Sequence, residues 1–344
     1  MIYLKEKTSL FSVLVYTLKS NYLMFTYLLV PILITDYRNT AYLASLGAFL
    51  IVLVLVLLLP KKINDIDFFK ILAKSFLAKI SYNLLQFIGL LTTIILMSYT
   101  VNRMFFNEIN VMVFIALSVI VVLFISNFGV EVIFNSSTLL FLFSIVLIFI
   151  PFFLTNEVKD YTLLKPFEIR KNSSFLLLIY FGLDAIMILF SGVKTKKKMT
   201  KKSLLVPIAI FFLFMSIELL NIILVTGHSY MVDNEFLGFF SLFIQDTINY
   251  IGNLGVFYLL IIPIIGAFKG GYSLRKIKDG YRIKNNLVSN IILFAVLFFL
   301  SFFIIRYYKI SDFIFYSLVF SIILLTILYV FILLNRSEKY EIRF

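Results

Sequence analysis

Apolar runs of about 20 residues recur along the whole chain, and they constrain its fold more than any other feature. A helix of this length spans the hydrocarbon core of a bilayer and satisfies its own backbone hydrogen bonds there. The chain is 62% hydrophobic and 14% charged, whereas soluble domains average roughly half apolar and a quarter charged. The sequence therefore predicts an all-α, polytopic membrane protein, with a single integral membrane domain over residues 1–344.

Charged residues and Gly/Pro clusters divide the apolar runs into ten candidate transmembrane helices, which we number as spans one to ten. The predicted spans are 10–34, 41–60, 82–101, 110–127, 130–154, 173–193, 203–225, 249–268, 287–305 and 313–335.

The distribution of Lys and Arg predicts how these spans are oriented. If the N-terminus is cytoplasmic, 22 of the 31 basic residues fall in inside segments, 8 fall in outside segments and Lys19 falls within span one. Cytoplasmic loops of membrane proteins are enriched in Lys and Arg, so both termini are predicted to be cytoplasmic. The net charge of +13 then reflects topology and attraction to the anionic lipid bilayer, and it indicates no nucleic-acid partner.

The chain has no cysteine of its own, so single introduced cysteines report on this topology without background. We expect Lys197→Cys to react with a thiol reagent only from the cytoplasmic side. Lys159→Cys is expected to react with a membrane-impermeant maleimide in intact cells. Reversed labelling of the two positions would contradict the ten-span topology.

Two cytoplasmic segments have distinctive patterns. The basic run KTKKKMTKK (194–202) is interpreted as a cytoplasmic stop signal, with a specific lipid or partner site as the alternative. Segment 63–81 places apolar side chains at helical spacing with its lysines largely elsewhere, which predicts an amphipathic helix along the cytoplasmic interface. The apolar residues of that helix are Phe68, Phe69, Leu72, Phe76 and Leu77, and its lysines are Lys70, Lys74 and Lys79.

Four polar residues inside the predicted spans require an explanation, because a charge at mid-membrane costs roughly 2.5–3.5 kcal/mol on insertion scales. They are Lys19 in span one, Asp184 in span six, and Glu218 and Asn221 in span seven. Lys19 either extends toward an interface or pairs with an acidic residue. Glu218 and Asn221 lie three residues apart on one helix face, where they either bond neighbouring helices together or line a cavity.

Asp184 is the most informative of the four, because the stretch IYFGLDAIMILF (179–190) places Gly182 two residues before it. Glycine adopts backbone angles that other residues resist, and transporter folds build ligand sites at interrupted helices in mid-membrane. We therefore predict a short break in span six around Phe181–Leu183, with Asp184 facing the bundle interior near span one. There the carboxylate either accepts a ligand ammonium or pairs with Lys19.

Little in the sequence suggests catalysis. The absence of Cys excludes disulfides and thiolate metal sites, and His228 is the single histidine. Paired carboxylates at fixed spacing, metal-ligand clusters and phosphate-binding glycine loops are not found. The sequence therefore indicates no enzyme, no metal site and no cofactor.

Several segments together carry a family resemblance. FGVEVIFNSSTLLFLFSIVLIFIP (128–151) opens span five, and IYFGLDAIMILF lies in span six. Others are LLLPKKINDIDFFKILAKSFLAKISYNLLQFIGL (57–90), DYTLLKPFE (160–168), KTKKKMTKKSLL (194–205), ILVTGHSYM (223–231) and QDTINYIGNLGVFYLLIIPIIGAFK (245–269). In their order these segments resemble the B-subunit family of spore germination nutrient receptors, which belongs to the amino acid/polyamine/organocation transporter superfamily. The resemblance covers about residues 10 to 285.

The resemblance implies a ten-span transporter-like fold with interrupted spans one and six, and a small nutrient such as an amino acid bound between them. It implies an A-type subunit with a soluble domain and a C-type lipoprotein as partners, in the inner membrane of an endospore. Where the family has a Gly-x-Gly-Ile-Leu motif in span one, this chain has the bulkier MFTYLLVP (24–31). The candidate ligand-binding residues are Phe25, Thr26, Tyr27, Tyr180, Phe181, Gly182 and Asp184.

Three functions are compatible with these observations. The preferred one is a nutrient-sensing, germinant-binding subunit of a spore germination receptor. The first alternative is an amino-acid permease of the same superfamily, because a permease needs the same mid-membrane site. A membrane glycan polymerase or ligase is less favoured, because such enzymes usually carry several Arg and His residues in a large external loop, and the external segment 226–248 has no Lys or Arg.

Overall fold

The computed structural model describes residues 10–20, 30–59, 68–105, 108–138, 159–165, 175–192, 200–226 and 254–334. The regular structure in these ranges is helical throughout, which confirms the predicted fold class for the described part of the chain. The helices are α1 (Leu10–Lys19), α2 (Val30–Tyr37), α3 (Ala41–Leu58), α4 (Phe68–Lys74), α5 (Phe76–Phe105), α6 (Val111–Ser126), α7 (Val130–Thr138), α8 (Phe175–Gly192), α9 (Lys201–Thr226), α10 (Leu254–Tyr281), α11 (Leu287–Tyr307) and α12 (Ile310–Leu334).

Five helical stretches in these ranges are long and apolar enough to cross a membrane, or six if α6 and α7, which meet at an angle of 111°, are counted as one broken span. The chain is therefore a multi-pass membrane protein. The count of ten spans stays a prediction, because residues 139–158 and 227–253 lie outside the described ranges, and because α8 and α10, which correspond to predicted spans six and eight, are not among these stretches. The five stretches are Ile32–Leu58, Phe76–Asn102, Lys201–Val225, Leu287–Tyr307 and Ile310–Leu334.

The boundary between spans one and two differs from the sequence prediction. A short 3-10 turn, Arg38–Thr40, joins α2 to α3, so that Ile32–Leu58 forms one helical stretch of 27 residues. Arg38 in this turn has a φ of 48°, in the left-handed region that residues other than glycine rarely adopt. The predicted interruption of span one lies largely in residues 21–29, outside the described ranges.

The prediction of one interfacial helix over residues 63–81 is wrong for the described residues. The chain breaks at Ser75, whose hydroxyl accepts a hydrogen bond from the backbone N–H of Ala78 and so caps the start of α5. The apolar residues keep their helical spacing on both sides of Ser75, so the sequence pattern did not reveal the break between α4 and α5. Phe68 and Leu72 of α4 are buried against α5, α8 and α12, whereas Phe76 at the start of α5 is 79% exposed.

The helices pack around two adjoining apolar cores. The larger core joins α8 and α9 to most of the other helices, and the smaller one is shared by α5, α6, α10 and α11. Most side chains of α11 that point away from this core are apolar and exposed, as expected for a surface that faces lipid. Packing is close where α10 presents Gly270 and Gly271 to Val122 and Ile125 of α6.

Segments predicted to be external lie together at one end of the bundle. The Asn39 side-chain amide donates to the Lys165 carbonyl oxygen at 3.1 Å, and the Asp160 backbone N–H donates to the Leu224 carbonyl oxygen at 2.9 Å. Hydrogen bonds from the Thr162 hydroxyl and backbone N–H hold the pKa of the Asp160 carboxyl below its usual value. These contacts agree with the predicted grouping of the loops.

At the opposite end of the bundle, the buried Lys278 forms hydrogen bonds with residues of three segments. Its Nζ lies 3.0 Å from the Ser126 hydroxyl and 3.1 Å from the Asn127 side-chain oxygen, both at the end of α6. It also lies 2.9 Å from the side-chain oxygen of Asn285 and 3.0 Å from that of Asn290. Lys278 therefore joins the end of α6 to the loop that follows α10 and to the start of α11.

Replacing this lysine should loosen that end of the bundle. We expect Lys278→Met to lower the free energy of unfolding by about 2 kcal/mol, because the hydrogen bonds from this charged donor to its four acceptors are lost. Lys284→Met, at an exposed position of the same loop, is the matched control and should have little effect. Thermal unfolding of the detergent-solubilised protein measures both, and equal melting temperatures of the two variants would contradict the assigned role of Lys278.

Candidate functional site

A buried ion pair links α8 to α10 in the middle of the bundle. The Asp184 Oδ2 atom lies 3.5 Å from the Lys269 Nζ atom, and each residue is only 7% exposed. Asp184 lies near the middle of α8, and Lys269 lies near the middle of α10, one residue beyond predicted span eight. A buried charge pair at mid-helix is a candidate functional site in a membrane protein, because such residues are costly to insert.

Tyr180 completes the contact on the same face of α8. It precedes Asp184 by four residues, so both side chains point toward α10. The Lys269 Nζ donates to the Tyr180 hydroxyl oxygen at 3.3 Å and lies 5.5 Å from the centroid of its ring. Lys269 is thus held by a carboxylate, a hydroxyl and an aromatic ring together.

A second tyrosine, Tyr16 of α1, packs against Tyr272 of α10, the helix that carries Lys269. Its ring is packed at centroid distances of 4.6 Å from Phe134 and 5.2 Å from Tyr272. Its hydroxyl is completely buried, has no hydrogen-bond partner within the described ranges, and lies close enough to the Asp184 carboxylate to interact with it electrostatically. A buried polar atom of this kind indicates a place for an ordered water or a ligand.

The opposite face of α8 borders a small pocket. Thr17 of α1, Phe181, Gly182 and Ala185 of α8, and residues of α9 line it, and it has room for about one water molecule. Phe181 and Gly182, both predicted to bind ligand, therefore lie on a different face from Asp184 and Tyr180. In this conformation the pocket is too small for an amino acid. Its α9 residues are Pro207, Ile208, Phe211 and Phe212.

The predicted break in span six is wrong. Helix α8 is continuous from Phe175 to Gly192, and it runs through Phe181–Leu183 without interruption. Gly182 serves helix packing: a Cβ atom added to it would lie 2.4 Å from both Cγ atoms of Val52 in α3. The missing side chain therefore lets α3 and α8 approach each other closely, and the backbone freedom of glycine is not used.

The other predicted residues are only partly brought to this site. Phe25, Thr26 and Tyr27 lie outside the described ranges, and Lys19 is the last residue of α1. Glu218 and Asn221 lie in the C-terminal half of α9, where Asn221 is buried and Glu218 is half-buried.

Sequence reasoning missed Lys269, the residue that contacts Asp184. Lys269 directly follows predicted span eight, so the sequence pattern assigns it to the cytoplasmic segment after that span. Its spacing held a signal: Lys269, Tyr272 and Lys276 follow at i, i+3 and i+7, which places them on one face of a helix. All three are buried, and the Lys276 Nζ lies 5.4 Å from the centroid of the Tyr272 ring.

The fold and this site together define a polytopic helical membrane protein with a charged centre among its helices. A scan against models of known protein families finds no match, and a search of curated proteins finds no relative.

Proposed function

We propose that the protein is the nutrient-sensing subunit of a spore germination receptor, and that a small nutrient such as an amino acid binds at the charged centre of its bundle. The observation that carries this proposal is the buried cluster of Asp184, Lys269, Tyr180 and Tyr16, contributed by α1, α8 and α10. Costly intramembrane charges are retained where they serve a ligand or a pathway. The order of sequence segments that resemble the B-subunit family supports the same proposal.

The proposal extends to location and partners. We propose the inner membrane of an endospore as its location and an A-type subunit and a C-type lipoprotein as its partners, as the resemblance implies. Both termini would be cytoplasmic, as the distribution of Lys and Arg predicts. A sensing role fits the closed state of the charged centre, in which Asp184 and Lys269 are each only 7% exposed. A receptor has to open such a site only far enough to bind, whereas a permease must also release its ligand to the other side.

Germination of spores that lack the gene tests the proposal. We expect deletion to abolish the response to at least one nutrient in an amino-acid panel, and the wild-type gene to restore it. An unchanged response to every nutrient tested would contradict the proposed function. Proteoliposomes containing the purified protein supply the second test, since saturable uptake of a labelled amino acid would favour the permease.

A further inference from the structure

The carboxylate of Asp184 already holds a primary ammonium group, because that is what the end of the Lys269 side chain is. The ammonium is covalently attached to α10 by a flexible chain of four methylene groups. A ligand that presents its own ammonium to Asp184 therefore competes with Lys269 for the carboxylate. The chemistry of the present contact thus defines the class of group that this carboxylate accepts.

The geometry of the contact favours exchange. Hydrogen bonds between ammonium groups and carboxylates are typically about 2.7–2.9 Å long, whereas the Asp184 Oδ2 and Lys269 Nζ atoms are 3.5 Å apart. The contact is therefore near the outer limit of a hydrogen bond. Lys269 also has alternative partners at hand, because its Nζ is 3.3 Å from the Tyr180 hydroxyl and 5.5 Å from the centroid of the Tyr180 ring.

The Tyr16 hydroxyl supplies an independent observation that points to a ligand. It is buried, lies within electrostatic range of the Asp184 carboxylate, and has no hydrogen-bond partner among the described residues. An incoming primary ammonium has three N–H donors, of which Asp184 accepts one or two. The Tyr16 oxygen is an acceptor for another.

We propose that Asp184 is a binding site for the primary ammonium group of a small ligand, and that Lys269 is its internal competitor in the resting protein. The ligand displaces Lys269 toward Tyr180 and takes its place between Asp184 and Tyr16. Lys269 thereby sets the ligand concentration at which the site fills. The step from this site to a nutrient response rests on the proposed function, whereas the ammonium site itself does not.

Methylammonium, the smallest primary ammonium with a carbon chain, tests the site directly. We expect full-length Lys269→Ala in lipid nanodiscs to bind labelled methylammonium at least tenfold more tightly than the wild-type protein. The double variant Lys269→Ala with Asp184→Asn should lose this gain, and tetramethylammonium, which has no N–H donor, should not compete. If Lys269→Ala does not accumulate, Lys269→Gln, which keeps an N–H donor near Tyr180, carries the same measurement. Binding no tighter than wild type in the tested variant would overturn the proposal.

Tyr16→Phe separates a ligand-binding role from a structural one. Removing a buried hydroxyl that has no partner should leave thermal stability unchanged or slightly higher. In the Lys269→Ala background the same change should weaken methylammonium binding by about three- to tenfold, the effect of one hydrogen bond of about 1 kcal/mol. Unchanged methylammonium binding would remove Tyr16 from the site.

The nutrient response is measured separately in spores. We expect Lys269→Gln to shift the effective nutrient concentration downward at least tenfold, because the internal competitor is gone. An upward shift would mean that Lys269 binds the ligand itself, and it would overturn the competitor role. If methylammonium binding behaves as expected while deletion of the gene leaves germination unchanged, the ammonium site stands and the proposed function fails.

Discussion

Asp184→Asn is expected to lower the amount of folded protein in the membrane several-fold, and adding Lys269→Met to the same chain is expected to restore most of it. Removing one member of a buried ion pair leaves the other charge in a medium that solvates it poorly, at a cost of about 3–5 kcal/mol. Removing both charges avoids that cost. If the proposed function holds, the restored double variant should nevertheless fail to respond to nutrient, because the carboxylate proposed to accept the ligand is missing.

Quantitative immunoblots of membrane fractions and thermal unfolding in detergent measure the two effects. Asp279→Asn is the matched control: Asp279 pairs with Arg275 at 3.2 Å on the same helix as Lys269, but both side chains are about one-third exposed. Removing a solvated pair costs only about 0–1 kcal/mol. Equal abundance of Asp184→Asn and Asp279→Asn would contradict the assigned importance of the Asp184–Lys269 pair.

Gly182→Ala is expected to lower the free energy of unfolding by about 3 kcal/mol, at the upper end of the range for overpacked cores. The added methyl group would lie 2.4 Å from both Cγ atoms of Val52 and 2.9 Å from its Cβ atom, so α3 and α8 would have to move apart. Val52→Ala in the same chain removes the two nearest atoms and should restore part of the loss.

Gly47→Ala is the control for this experiment, because Gly47 lies in α3 five residues from Val52 and an added Cβ atom meets nothing within 4 Å. Alanine also favours helix over glycine by up to about 1 kcal/mol. Thermal unfolding should therefore show Gly47→Ala as stable as the wild-type protein, or more so. A break in α8 at Gly182, as first predicted from sequence, would instead make Gly182→Ala nearly neutral in stability.

Hydropathy predicted most of the helices. A segment that crosses lipid must satisfy all its backbone hydrogen bonds internally, so it forms a long apolar helix that is easy to recognise in a sequence. The ends of two helices agree with the predicted spans within a few residues. Helix α8, Phe175–Gly192, matches span six, and helix α11, Leu287–Tyr307, matches span nine. The ends of some other helices were less predictable. Helix α10 continues to Tyr281, past the last apolar residue of predicted span eight, because its lysines find partners inside the protein.

At the candidate site the sequence identified one half of the ion pair. Asp184 stands out in an apolar run, so its importance could be read directly. Lys269 does not stand out in this way. A lysine at the end of an apolar run has the same sequence pattern whether its side chain points into the bundle or toward the membrane surface. Gly182 presented the opposite difficulty: a glycine in a helix permits either a break or a close helix contact, and only the position of Val52 distinguishes the two.

The separation of Asp184 and Lys269 along the chain has a consequence for biogenesis. Their contact joins residues 85 positions apart, and a ribosome needs about 4–17 s to synthesise that length at 5–20 residues per second. Helix α8 is therefore synthesised before α10 exists, and Asp184 lacks its Lys269 partner during that interval. Chains that terminate after α9 never form this contact, so we expect them to be less stable than the full-length protein.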